Sequence, residues 1–146
     1  MSNTSLIGKA KELFVATLLV NRKLHVFLPL VDNGFDLVVA RPDGRGFMPV
    51  QVKYKAFRSG FSLDRDDARK FVEANAVLAF GAGEELREEN YFFIPAKAWM
   101  EAAATQDTER QDNKLVVRLA LSNEWAEQFR GSKGIDAAFK GLLTAA

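Results

Sequence analysis

The chain contains no cysteine and a single histidine among its 146 residues. Disulfides and thiolate metal sites are therefore excluded, and a reducing cytoplasm is the compartment expected. Catalysis of the Cys/His or Ser/His/Asp kind has no natural candidate. No apolar run is long enough to span a membrane, and the opening Met1-Ser2-Asn3-Thr4-Ser5 lacks the basic region and cleavage site of a secretory leader. A phosphate-cradling glycine loop is also missing. Gly81-Ala82-Gly83 is not followed by Lys and Ser or Thr, and Gly44-Arg45-Gly46 falls within a hairpin. There is no internal repeat and no low-complexity segment.

Charge of one sign is scarce in sum but not in distribution. The net charge is only +1. Residues 1–60 nevertheless hold nine Lys or Arg against four Asp or Glu, whereas the remainder holds eleven against fifteen. A basic surplus in one half is the electrostatic footprint that an anionic partner would read. Length and an apolar content of 48% predict one domain over 1–146, large enough to bury a real core.

Periodicity predicts an α/β order. A first helix, capped at Thr4 or Ser5, carries Ile7, Ala10, Phe14, Thr17 and Leu18 on one stripe and Val15, Ala16 and Leu19 on a second. Leu24–Leu30 reads as a strand that Pro29 confines to an edge. Asp32-Asn33-Gly34 is a tight-turn signal leading into the strand Phe35–Ala40, and the turn Arg41–Gly46 leads into Met48–Tyr54. Phe57–Leu63 reads as a loop. A helix capped at Ser62 or Asp64 then runs to Asn75, and the apolar strand Ala76–Phe80 implies a parallel crossover. Beyond an acidic loop, Gly83–Asn90, come a buried strand Tyr91–Ile94, a helix from Pro95 to Ala104, a polar connection Thr105–Asn113 and a strand Lys114–Leu121. Ser122 is expected to cap a helix bearing Trp125 and Phe129, with Gly131 past its end. A last helix carries Ile135, Phe139 and Leu142. The expected architecture is a mixed central sheet flanked by helices, with an antiparallel three-strand meander and one parallel crossover strand.

Four polar residues stand out against this apolar frame. Asp36 alternates with Val38 and Ala40, while Gln51, Lys53 and Lys55 share one strand face. Glu12 has Gly8, Val15, Ala16 and Leu19 as its helical neighbours, so it is either a rim residue beside Lys9 and Lys11 or a buried carboxylate with a purpose. Polar groups among core residues are costly unless they serve one another or a ligand. If the first helix packs on the face carrying the others, Glu12, Asp36 and Gln51 offer hard oxygen donors suited to Mg²⁺ or Mn²⁺. Lys53 could then stabilise a phosphorane's charge or orient an attacking water. Lys9, Lys11, Lys55 and Arg58 are candidate nucleic-acid contacts. His25 reads first as a satisfied strand residue, Trp99 and Trp125 as core, and Asp32 as part of its turn.

A helix with a glutamate, a hairpin carrying Gly34-Phe35-Asp36-Leu37-Val38-Val39, and then Gln51-Val52-Lys53 resembles the PD-(D/E)XK nuclease superfamily, the restriction-endonuclease-like fold. Its helix, meander, helix, strand core would cover about residues 5–81, leaving about 90–146 as a C-terminal elaboration. The resemblance implies a Mg²⁺-dependent nuclease, with Glu12, Asp36 and Gln51 around the metal and Lys53 catalytic. Phe35 replaces the proline of the family name. Gln51 replaces the usual acid, as in a homing-endonuclease-like group, and a neutral donor holds a metal less tightly. Two functions follow: a nuclease acting on DNA, as a dimer pairing two sites on a duplex or with partners, or a catalytically weak or inactive module of the same fold that binds nucleic acid or protein.

Overall fold

The computed structural model describes residues 3–30, 34–55, 60–105, 114–118 and 124–143. Helix α1 (Asn3–Asn21) is followed by β1 (His25–Phe27), β2 (Leu37–Ala40) and β3 (Met48–Lys55). Next come β4 (Gly60–Asp64), α2 (Arg65–Glu73) and β5 (Val77–Ala82), then β6 (Tyr91–Pro95) and α3 (Ala96–Thr105). The chain closes with β7 (Lys114–Arg118), α4 (Glu124–Glu127), α5 (Gly131–Ala138) and α6 (Lys140–Leu143). The main sheet has the order β1-β2-β3-β5-β6. Its β3–β5 pair is parallel, with Gln51 beside Leu78 and Lys53 beside Phe80, and its other pairs are antiparallel. This is the expected mixed sheet, with the helical crossover α2 returning β5 alongside β3.

Strands form where apolar residues run together between turn residues. All of Val77 to Ala82 is buried, as a parallel strand covered on both faces requires. The turn between β2 and β3 closes through the Gly44 N–H to the Arg41 carbonyl, 2.9 Å, and the Arg45 N–H to the Asp43 carboxylate, 3.0 Å. Alternation sends the sheet's side chains into two cores. One holds Leu37, Val39, Val50, Val77, Ala79 and Phe93 under Val15 and Leu19 of α1 and Ile135, Phe139 and Leu142 of α5 and α6. The other holds Leu78, Phe80, Phe92 and Ile94 under Ala68 and Phe71 of α2 and Trp99 of α3. Among the described residues, no helix is long and apolar enough to cross a membrane.

Several local expectations give way to tertiary context. The segment read as a loop over Phe57–Leu63 contains β4, paired antiparallel with β7 as a separate ribbon, with Phe61 and Leu63 buried. Strand β1 stops at Phe27, well short of Leu30, as an edge strand next to a proline would. Helix α1 starts at Asn3, so Thr4 and Ser5 lie inside it. Gly131, with φ of 58°, does not trail a helix but opens α5. Asp32 and Asn33 of the expected tight turn, most of the polar connection at 105–113, and Ser122 lie outside the described residues.

Candidate active site

The candidate site begins where β2 stops pairing with β3. The ladder runs through Leu37 opposite Val50. One residue earlier, the Asp36 N–H still donates to the Val50 carbonyl at 3.0 Å, and its carboxylate Oδ2 accepts the Val52 N–H at 2.8 Å. A side chain thus completes the ladder in place of the next backbone carbonyl, which fixes Asp36 opposite Gln51. Phe35 anchors the same segment by packing on Phe71 of α2, ring centroids 5.8 Å apart, and the Lys70 ammonium lies 5.3 Å from the Phe35 ring. Lys70, unremarkable in sequence on a polar helix face, is therefore a further cation close to this segment. At Gly34, with φ of 100°, the backbone conformation calls for glycine, while the nearest obstacle to a Cβ is only the movable end of the Lys70 side chain.

Gln51 and Lys53 share the face of Leu78 and Phe80, and Lys55 follows on the same side with its ammonium 5.6 Å from the Phe61 ring. The Gln51 Oε1 atom is buried and makes no hydrogen bond. Lys53 is half-buried. An orphaned amide oxygen costs about 1–3 kcal/mol, unless something outside the chain satisfies it. A hard divalent cation fits that need, since the neighbouring donor is the Asp36 carboxylate. Among the described residues there is no group of three or more His, Cys, Asp or Glu that could hold a metal, so an amide or water would have to complete any such site.

Glu12 arrives from elsewhere than expected. Helix α1 covers the opposite face of the meander, the one carrying Val50 and Val52, because its buried stripe is Lys11, Val15 and Leu19. Glu12 flanks that stripe with its side chain 20% exposed, and it accepts a 2.8 Å hydrogen bond from Lys9. It shares a helical turn with Lys11, whose ammonium lies 5.5 Å from the Tyr54 ring. At that level no described strand pairs with the outer edge of β3, because β2 begins at Leu37. Glu12 can meet Asp36 only around this unpaired edge, not across a shared face.

The candidate nucleic-acid contacts divide. Lys9 and Lys55 are exposed. Lys11 is a correction: it is only 5% exposed, and its ammonium donates to the Glu84 carbonyl at 2.8 Å. It ties α1 to the acidic loop and is not presented to solvent. A cavity of about 550 Å³ lies there, lined by Ile7, Ala10, Lys11, Tyr54, Gly83, Glu84 and Leu86, and it includes none of Glu12, Asp36, Gln51 or Lys53. Arg58 lies outside the described residues. His25 is exposed on edge strand β1, not buried in a core. Elsewhere, Tyr91 is buried beneath Phe14, its hydroxyl makes no hydrogen bond, and burial pushes it up to about 12.

No protein-family model and no curated protein matches the sequence. Solved structures do match the fold. The Holliday junction resolvase Hjc of the archaeal hyperthermophile Archaeoglobus fulgidus aligns with a TM-score of 0.60 and 14% identity over 90% of this chain and 94% of its own. The bacterial homing endonuclease I-Ssp6803I aligns with a TM-score of 0.59 and 14% identity over 97% of this chain and 95% of its own. Identity this low with near-complete coverage of both chains shows a shared architecture: the mixed sheet flanked by helices is the restriction-endonuclease-like fold.

Proposed function

We propose that this protein is a Mg²⁺- or Mn²⁺-dependent nuclease that hydrolyses phosphodiester bonds in DNA. One observation carries the reading: on a fold shared with a resolvase and a homing endonuclease, a buried and unsatisfied Gln51 oxygen lies on β3 opposite Asp36 and two residues from Lys53. Asp36, Gln51 and, around the edge of β3, Glu12 are the donors that would hold the cation. When bound, it would supply Lewis-acid polarisation of the phosphoryl oxygen. Asp36 is oriented for this by the Val52 N–H, which fixes one carboxylate oxygen. Lys53, half-buried two residues along β3 from Gln51, would set its ammonium against the negative charge that develops on the phosphoryl group, so its attraction would grow along the reaction. Lys9 and Lys55 contact flanking phosphates.

A homodimer belongs to this reading. Leu6, Ala10, Leu13, Thr17 and Val20 recur at three- and four-residue spacing on the side of α1 opposite Val15, all exposed, and the three large ones are each about half exposed. Thr17 bonds its hydroxyl back to the Leu13 carbonyl at 2.9 Å, so the stripe makes no outward polar demand there. A helix apolar on both faces is normally buried on both. The seam runs along a helix about 28 Å long at 1.5 Å per residue, and one stripe meeting its own copy is what a two-fold interface needs.

The test is cleavage of duplex, single-stranded and branched DNA with Mg²⁺ or Mn²⁺. Lys53→Ala should lose roughly 100-fold or more, the scale for one transition-state charge contact. Asp36→Asn should lose cleavage yet keep the fold, since an amide oxygen can still accept the Val52 N–H. Equal activity of wild type and Lys53→Ala on every form would sink the nuclease. Binding with a steep salt dependence and no cutting would favour the second reading, an inactive binding module, which the neutral Gln51 in place of an acid supports.

A further inference from the structure

The face of the sheet that carries Gln51 and Lys53 continues toward its β1 edge without a described helix over it. Phe27 pairs with Val38, and Val38 pairs with Pro49, so these three share a face with Gln51 and Lys53 further along β3. The helices α2 and α3 cover the β5 and β6 end of this face, and Phe27, Val38 and Pro49 belong to neither buried core. Phe27 is 48% exposed and Phe47 62% exposed, and their rings lie 6.3 Å apart at 52°. His25, exposed, precedes Phe27 on the same edge strand. Two large aromatic rings, one on edge strand β1 and one just before β3, are thus held in contact while each is about half exposed or more.

Resting on the nuclease reading, we propose that Phe27 and Phe47 form a stacking platform for unpaired nucleobases beside the scissile phosphate. Charge favours a nucleic acid over an apolar protein surface. Arg45, two residues before Phe47, has an exposed side chain whose ion pair with Asp43 is long, at 4.0 Å, and Lys53 lies on the platform's own face. Between Arg22 and Lys55 the chain carries six Lys or Arg against three Asp. A protein surface that covered the rings would desolvate these cations, whereas a nucleic-acid strand brings both a flat apolar base and an anionic phosphate. Base faces inside a duplex are already stacked, so the platform takes bases that are single-stranded, splayed at a branch or flipped. Phe27 lies across two strands from Pro49, about 10 Å at the usual spacing of ~4.8 Å, and Lys53 lies four residues further along β3, about 13 Å at ~3.3 Å per residue, so the platform and Lys53 are roughly 16 Å apart, a span of a few nucleotides.

The experiment measures binding of a fluorescein-labelled 20-nucleotide single strand and of the blunt duplex of the same sequence, both in EDTA. Phe27→Ala and Phe47→Ala should each weaken single-strand binding roughly 5- to 100-fold, the range for one lost stacked base, and change duplex binding less than about 2-fold. Phe47→Trp, unlike Phe47→Ala, should keep the wild-type affinity, and its added indole emission should be quenched by the single strand. Equal losses on both forms, or no loss on either, would overturn the platform. So would loss of self-association in the double alanine variant with DNA binding intact, which would mark the patch as a contact between copies. Because EDTA prevents cleavage, a protein that stacks bases but never cuts DNA would sink the nuclease and leave the platform standing.

Discussion

Replacing Gln51 by leucine separates a cation site from a merely structural polar residue. The Gln51 Oε1 atom is buried without a protein partner, on the apolar Leu78 and Phe80 face opposite Asp36. Leucine has a similar volume and no group to satisfy. Removing an unsatisfied buried acceptor recovers about 1 kcal/mol or more, which for a chain of this size raises Tm by about 2–4 °C. A bound cation works against that lead. With a Kd of about 1 mM, 10 mM Mg²⁺ or Mn²⁺ stabilises the wild type by RT ln(1 + [L]/Kd), about 1.4 kcal/mol, and the leucine variant gives up most of that. Calorimetric melting should therefore show the Gln51→Leu variant above wild type in EDTA, with most or all of that lead lost in 10 mM Mn²⁺. A variant that melts several degrees lower in EDTA would mean that the oxygen has a protein partner. Equal upward shifts of both proteins in Mn²⁺ would place the ion elsewhere. Either result refutes the reasoning.

Other expectations test the fold and the interface. The Tyr91 hydroxyl ionises at about 12 in the folded protein against 10.0 ordinarily, so between those values the unfolded chain binds fewer protons. Stability should then fall as pH rises from 10 to 12, by roughly 2–3 kcal/mol, and urea unfolding of Tyr91→Phe should show a flatter profile at no cost near pH 7. A Cβ on Gly134 would overlap the Phe129 carbonyl, which already accepts the Phe93 N–H at 2.8 Å. Gly134→Ala should lose about 2 kcal/mol or more, while Gly141→Ala, with nothing within 4 Å of its Cβ, should be neutral or stabilised by up to about 1 kcal/mol. Leu13→Glu should convert the proposed dimer to monomer in sedimentation equilibrium without lowering Tm of the monomer. An unchanged mass would refute the α1 seam.

The central strands were legible because their signals are local. Ala76–Phe80 and Tyr91–Ile94 are apolar runs bounded by glycine, asparagine or proline, and the Arg41–Gly46 turn has its own side-chain chemistry. Strand β4 escaped because its partner, β7, lies some fifty residues away. Its alternation of Phe61 and Leu63 with Ser62 and Asp64 was present, but the same Ser and Asp also read as helix caps. Lys11 was misplaced for a related reason. It stands four and eight residues before Val15 and Leu19, which puts it on the buried stripe, yet a lysine is solvated by default. Only the Glu84 carbonyl and Tyr54 ring, 73 and 43 positions further along, make its burial tolerable. The motif residues Asp36, Gln51 and Lys53 could be placed on strands by alternation. Which face α1 covers could not, since that depends on packing that a period of two leaves undetermined.

The glutamine in the proposed site makes physical sense as a compromise between the empty and the loaded states. Asp36 is pinned opposite Gln51 by two hydrogen bonds to β3. A glutamate at 51 would set two carboxylates side by side on a partly buried face, with Lys53 as the cation two residues along, and one of them would resist ionisation until a metal arrived. The amide avoids that repulsion and costs only an unsatisfied acceptor. The same choice weakens the grip on a divalent ion, because a neutral oxygen supplies a dipole where an acid supplies a charge. Occupancy in such a site would depend on millimolar metal and on phosphate oxygens brought by the substrate. Binding of DNA and binding of the ion would then reinforce each other, so that the cleaving state assembles on the nucleic acid and not before it.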